Sequence, residues 1–436
     1  MRKKLREAFV FTLPLMLVDA TRKKLTNTVS ASAKFAPINQ MLHASELVDA
    51  TFTDIVTPNS DTIYSQSFLD LKDDAVILQF PKTDRFSTVQ VLDAYTNTIT
   101  VLDATTLEKD VEKFIFCTSG FSGEIPTDVK KIESPTNLVW ILIRTICNNK
   151  EDVANVAAIQ KKMDTYTLTQ YLTGTTAVKP DGIYEEKNNF VPIQYIQKMG
   201  MEEYFSIANE LMLDNPPANE DEPVMKRMAE IQVGPGMAFD KLIFGEEADA
   251  MWLDIKKNML NECLKNSLGY MVQNRQWMYF GKPVAEFGTA YEYRGLIAIA
   301  GLGANPVSTA IYPKAEYDLE KQHFNGANKY IMHFESGQLP PVKENGFWSV
   351  TAYNSANDLL IDNELNRYLI NDRSDVKYNE DGSLDIYIQH ERPEEDKVVN
   401  WLPVCEGEFH FILRIYLPTD EAVNNEWPTP VIYKIS

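Results

Sequence analysis

Hydrophobic and polar positions divide the chain into three stretches of different period. From about Thr51 to Asn149 the pattern is that of strands. Ala75–Phe80 is a short apolar run stopped by Pro81. Thr88–Leu92 and Thr98–Leu102 flank the polar turn Asp93–Asn97, and Lys113–Cys117 runs into the turn region of Gly120 and Gly123. Leu138–Ile143 is continuously apolar and rich in β-branched residues, which predicts a strand covered on both faces. Short strands separated by turns predict a sandwich. From Glu151 to about Ala310 the apolar positions step at helical spacing. Val153, Val156, Ala157, Gln160 and Met163 form one row, and Trp252, Ile255, Met259, Cys263 and Ser267 another. Tyr291–Ala300 reads as a helix ended by Gly301-Leu-Gly303. Past about Lys329 strands return. Gly346–Tyr353 alternates, and Leu384, Ile386 and Ile388 share a face. Phe409, Phe411, Leu413, Ile415 and Leu417 line one face of the last long strand, with His410, Ile412, Arg414 and Tyr416 on the other. The expected fold is mixed but mainly β. Two jelly-roll-like β-sandwich domains (46–150 and 311–436) are joined by a helical bridging region (151–310) and preceded by an N-terminal helical segment (1–45).

Met1–Ala20 has a basic start, an apolar stretch from Ala8 to Val18, and the small-residue ending Val18-Asp19-Ala20, as a secretory signal would. Glu7 and Pro14 interrupt that pattern, and Asp19 sits beside the would-be cut. The expectation is a retained amphipathic helix that packs its apolar face on the fold. The cytoplasm is then the expected location, with secretion as the alternative. No other segment approaches ~18 consecutive apolar residues, so no membrane span is expected.

Composition narrows the partners. Lys and Arg number 42 against 62 Asp and Glu, a net charge of −20, which repels nucleic acid and anionic membrane surfaces. Four cysteines and five histidines show no CxxC or HExxH spacing, so no metal site is expected and buried free thiols are. There is no GxGxxG, Walker loop or GxSxG, so no cofactor is indicated. A homo-oligomer is compatible with this composition.

Candidate chemistry falls in three places. The segment Pro58–Thr62, with Tyr64, gathers Asn59, Asp61, Thr62 and Tyr64 in one short turn. It either binds a polar ligand or closes a turn on its own backbone. Asp93, Tyr95 and Asn97 repeat that chemistry, and Asp61 beside Asp93 would make a carboxylate pair with one raised pKa. The competing reading neutralises one of them with Arg85 or Arg144. In the last stretch Trp348, Tyr353, Trp401 and Arg414 either line a pocket for a sugar or carboxylate or pack a sandwich core. His410, opposite the apolar face, either faces a domain interface or, as the favoured reading, is an ordinary surface histidine.

Several blocks resemble a known family pair. Thr57-Pro-Asn-Ser-Asp-Thr-Ile-Tyr-Ser65, Phe68–Leu71, Asp84-Arg-Phe86, Val89–Asn97, Ser134–Asn137 and Arg144 are similar to domain of unknown function 1254. Leu339-Pro-Pro341, Gly346-Phe-Trp-Ser349, Asn379–Ser383, Asn400-Trp-Leu-Pro403 and Leu413-Arg-Ile-Tyr416 are similar to domain of unknown function 1214. Tyr293-Arg294, Gly301-Leu-Gly303 and Ile311-Tyr-Pro313 resemble the helix between them, and Glu7–Phe11 with Pro14-Leu15 the opening helix. The resemblance implies two sandwich-like domains joined by helices and implies no reaction. Two function classes stay open. One is an enzyme, such as a hydrolase, acting on a small polar metabolite or glycan with Asp61 or Asp93 as acid and base. The other is a non-catalytic ligand-binding or structural protein.

Overall fold

Alternation along each strand decides which layers it separates. The computed structural model describes residues 1–53 and 55–435. The fully buried strand Leu138–Ile146 lies at the centre of a five-stranded antiparallel sheet. Thr62–Asp70 and Ser87–Leu92 flank it, with Leu42–His43 and Thr98–Asp103 at the edges. Val139, Ile141 and Ile143 share a core with Val76, Leu78, Phe80, Phe114 and Phe116 of a four-stranded sheet. That second layer runs Lys130–Ser134, Val111–Thr118, Val76–Pro81, Asp164–Thr167. Burial on both faces explains the unbroken apolar run, because the opposite face meets helices and the other sandwich.

The second sandwich is built the same way. Val342–Asn354 and Phe409–Pro418 pair at the centre of an eight-stranded sheet. Trp348, Val350, Ala352, Phe411, Leu413 and Ile415 share a core with Met332, Phe334, Leu384, Ile386 and Ile388. The last five belong to a four-stranded sheet of Trp401–Pro403, Leu384–Gln389, Tyr330–Phe334 and Val431–Lys434. The helical bridge lends strands to both units. Asp164–Thr167 closes the first sandwich, while Met271–Asn274 and Trp277–Phe280 extend the larger sheet of the second.

The helices fill the space beside these sheets. Ala248–Ser267 buries Trp252, Ile255, Met259, Cys263 and Ser267, the row its periodicity predicts. The N-terminal helix Arg2–Leu25 departs from expectation. It is enclosed on every side from Ala8 to Ala20 rather than along one stripe, because helices Pro192–Lys198, Met201–Asp214, Glu222–Ala229, Ala248–Ser267 and Tyr291–Ala300 all pack on it. A helix apolar all round is a core helix. Its one buried acid, Asp19, is held by Arg22 at 2.6 Å and Lys23 at 2.8 Å. Among the described residues no helix is long and apolar enough to cross a membrane. The four cysteines are free thiols, three of them buried.

Candidate functional site

The two large sheets turn their second faces toward each other. On the first, Phe86, Thr88 and Gln90 stand beside Ile146, Arg144 and Leu142, with Thr62 and Tyr64 on the next strand. On the second, Phe347, Ser349, Thr351 and Tyr353 stand beside Tyr416, Arg414, Ile412 and His410. The seam between them has an apolar patch and a polar remainder. Phe86, Ile146, Ala310, Phe347 and Tyr416 form the patch, with Phe86 edge-on to Phe347 at 5.2 Å and to Tyr416 at 5.1 Å. Gly303 sits where a side chain would meet Trp140 at 3.2 Å, and its φ of +79° suits glycine. This lets the turn after helix Tyr291–Ala300 lie flat on the first sandwich.

The 57–62 segment is the key that locks the seam. Thr57 donates its N–H to Asp358 O at 2.7 Å, and its own carbonyl accepts from Arg414 at 3.0 Å. Tyr353 donates to Pro58 O at 2.7 Å, and Asn59 Nδ2 donates to Thr62 Oγ1 and Tyr416 Oη. Asn59 Oδ1 accepts from the N–H of Asp61 at 2.8 Å, closing the turn. Thr62 and Tyr64 lie beyond that turn, in the strand Thr62–Asp70, so the expected four-residue cluster in one turn does not form.

Asp61 is 1% exposed. Its Oδ1 accepts from Asn371 Nδ2 at 3.1 Å and from Arg373 at 2.9 Å, while Oδ2 is buried without a partner. Arg373 also reaches Asp372 and lies over the Phe347 ring at 4.8 Å. Asp372 is the second member of a carboxylate pair. Burial pushes its carboxyl up to about 6, with the negative charge of Asp61 adding to the rise and Arg373 opposing it. Together with Arg85, Phe86, Asn148 and Phe347, Asp372 and Arg373 line a cleft of about 280 Å³ at the edge of the seam. A bulge between Val342 and Phe347 shapes its wall. There Asn345 takes φ +61°, and a side chain on Gly346 would strike Tyr416 O at 2.6 Å.

Asp93 is elsewhere. Thr62 faces Ile146 across the sheet and Leu92 faces Trp140. Asp61 and Asp93 are thus eight residues of strand apart, about 26 Å, and the Asp61–Asp93 pair does not exist. Asp93 stabilises its own turn, accepting the N–H groups of Tyr95 and Asn97 and the Asn97 amide at 2.8–3.0 Å. Burial pushes its carboxyl up against those bonds and the nearby Arg294. Tyr95 donates to Asn215 O. We expect Asp93→Ala to cost about 1–2 kcal/mol in a urea titration. A loss under half of that would mean that the turn holds without its carboxylate.

Neither expected neutraliser serves these acids. Arg85 pairs with Asp152 at 2.7 Å. Arg144 donates to Gln90, Asn305 and the carbonyl of Gly303 at 2.8–2.9 Å. The aromatic pocket of the last stretch is likewise absent. Trp348 packs on Phe334 in the second core, and Trp401 donates its indole N–H to Gln389 O at 2.9 Å. Tyr353 and Arg414 are buried on the opposite face, at the seam. His410 is not a surface residue. It is 1% exposed and stacks on Tyr353, and burial pushes its imidazole down to about 4. The pair partner missed from sequence, Asp372, lies in an Asn-Asp-Arg-Ser stretch whose only signal is its density of polar residues.

Residues 38–167 match the family described as protein of unknown function DUF1254, and residues 309–420 match protein of unknown function DUF1214. No curated protein matches the chain. The fold is similar to the crystal structure of the VPA0106 protein from Vibrio parahaemolyticus, with a TM-score of 0.74, 22% identity and full coverage of both chains. A putative uncharacterized protein from Burkholderia cenocepacia aligns at a TM-score of 0.47 and 12% identity, over 98% of this chain and 88% of that one. With one model on each sandwich, in the order the motifs imply, the chain belongs to the family that pairs DUF1254 at the N-terminal side with DUF1214 at the C-terminal side.

Proposed function

We propose that this chain is an enzyme that acts on a small polar metabolite or glycan by carboxylate acid–base chemistry in the seam-edge cleft. Asp372 is the proton-transferring group. The observation that carries the reading is its carboxyl, raised to about 6 on the wall of an open cleft of about 280 Å³. A group poised near the working pH both gives and takes a proton efficiently. Arg373 stands between Asp372 and Asp61 and offers positive charge to an oxyanion formed beside them. Asp61 positions Arg373 and touches no substrate. Asn148 and Arg85 supply polar contacts at the rim, and the Phe347 ring an apolar floor. The free thiols fit a reducing cytoplasm.

The second reading, a non-catalytic joint, draws on the bonding of Asp61, whose side chain is spent on the other sandwich. Two measurements separate them. Carboxyl NMR of the whole protein should find Asp372 titrating near 6. A panel of aryl glycosides and small hydroxy acids should give turnover that depends on a group with that pKa and drops ~10²-fold or more in Asp372→Asn. An ordinary pKa for Asp372, or turnover indifferent to the substitution, would sink the enzyme reading.

A further inference from the structure

Deeper in the seam, away from the cleft, lie two buried cations without acids. Arg144 and Arg414 are each 5% exposed. Every hydrogen bond described for them goes to a neutral group. Arg144 donates to Gln90, Asn305 and Gly303 O, and Arg414 to Thr351 Oγ1 and Thr57 O. Among the described residues neither forms an ion pair, although most other arginines of the chain do. A buried guanidinium without a counter-ion is costly, and here two come from opposite sheets.

Their neighbours are unsatisfied as well. Thr88 faces Arg144 across the strands, and Ser349 faces Arg414. Both hydroxyls are buried with no partner. Tyr64, also opposite Arg144, holds its ring 5.6 Å from that guanidinium. Tyr64 and Tyr312 are half-buried, while Thr62, Asn305 and Tyr416 around them are closed. The phenols respond to the surplus charge. Burial pushes Tyr312, Tyr353 and Tyr416 up. Burial acts on Tyr64 too, but Arg144 and Arg414 outweigh it and pull that phenol down.

We propose that the seam is a binding site for a small oxyanion, a phosphate or carboxylate group held between Arg144 of the first sandwich and Arg414 of the second. Thr88, Ser349 and the Tyr64 hydroxyl complete its shell. Two guanidiniums with three hydroxyls match the several acceptor lone pairs of such a group. When the site is empty, the two guanidiniums hold the Tyr64 phenol below its ordinary range. Arg144 and Arg414 act directly on Tyr64; Tyr312 and Tyr416 share their field, and Asp61 reaches the group at Tyr353. The bound group bridges the sandwiches and strengthens their union.

The test uses the whole protein, with inorganic phosphate and malonate titrated separately at ionic strength fixed by sodium chloride. Each effective anion should raise the melting temperature saturably. Arg144→Gln and Arg414→Gln should each weaken the apparent affinity by about tenfold or more. In alkaline buffer the tyrosinate absorbance that distinguishes wild type from Tyr64→Phe should fall as the anion binds. Response to phosphate alone or malonate alone upholds the site and identifies its ligand as phosphoryl or carboxylate. A wild-type melting temperature that rises without saturating, or with no change in the tyrosinate signal, is a general salt effect and overturns the proposal. This outcome can be read even if the arginine variants do not fold, since it needs only wild type and the near-isosteric Tyr64→Phe.

Discussion

Asp61→Ala should loosen the joint between the sandwiches and cost about 2–3 kcal/mol. The substitution removes the acceptor of Asn371 and the counter-ion of Arg373, a pair whose acid is closed from solvent and whose base is about a quarter exposed. Breaking a fully buried pair costs about 3–5 kcal/mol, because the remaining charge stays desolvated. The partial exposure of Arg373 and its second partner, Asp372, reduce that figure. Asp61→Asn keeps an oxygen at the same place and should lose less, about 1–2 kcal/mol. Both variants should lower the pKa of Asp372, since the Asp61 charge helps to raise it and a freed Arg373 turns wholly to it. Urea unfolding gives the first quantity and carboxyl NMR the second. If stability falls and the Asp372 pKa stays put, the two acids are not coupled through Arg373.

The strength of this joint explains which parts of the site are legible in the sequence. The segment Thr57–Asp61 stands out because, of its side chains, only Asn59 is used within its own sandwich, to close the turn, while most of its other bonds cross to the second. The partners of its side chains, Asn371, Arg373 and Tyr416, and of its carbonyls, Tyr353 and Arg414, lie 295 to 357 residues later in the chain. Spacing along one segment carries no information about such a pairing. A pairing of Asp61 with Asp93 is attractive because both end turns of similar composition, but strand direction sends those turns to opposite ends of the sheet. Parity, by contrast, is fully readable. Phe411, Leu413 and Ile415 enter the second core while Arg414 and Tyr416 face the seam, as alternation requires. The same rule puts Trp348 and Tyr353 on opposite faces, so they could not line one pocket. The Trp252–Ser267 row is legible from its period alone, and the Tyr291–Ala300 helix from its period and the Gly301 at its end. The strand Thr62–Asp70 is not, since Ser65 and Ser67 are buried on the face opposite the seam and break the apolar alternation. The N-terminal helix misleads for a related reason. A helix wrapped by five others needs no polar stripe, and without one it resembles an export signal.

The last expectation concerns acid, where a buried histidine and a cleft-wall carboxyl pull in opposite directions. His410 has its imidazole held down at about 4 by burial, with Lys314 helping and Asp358 opposing, against 6.5 for an unhindered histidine. Above 6.5 both states of the chain carry a neutral ring and nothing is lost. As pH falls from 6.5 to about 4 the unfolded chain takes up a proton that the folded one refuses. Stability therefore drops, by up to about 3 kcal/mol. Asp372 does the reverse. Its carboxyl rises from 3.8 to about 6, so below 3.8 both states are protonated. As pH climbs toward 6 and beyond, the unfolded chain releases a proton that the folded one keeps. Because Asp372 is partly exposed, solvent screens the effect and the cost at neutral pH is on the order of 1 kcal/mol. The charges around Asp372, namely Arg373 and Asp61, are not those around His410, so the two contributions should add. In the wild type their slopes oppose each other between about 4 and 6 and partly cancel, with the better-buried His410 the stronger. His410→Phe, which keeps the stack on Tyr353, should remove the acid loss and leave a profile falling with pH. Asp372→Asn should make the protein more stable at neutral pH and more acid-sensitive below it. The double variant should give the flattest profile, at higher overall stability. Urea midpoints taken across this window decide it. Single variants that keep the wild-type slope would show that neither group titrates differently in the fold. The stability gained by Asp372→Asn would then vanish, and with it the evidence that the cleft holds a carboxyl kept from its charge for a use.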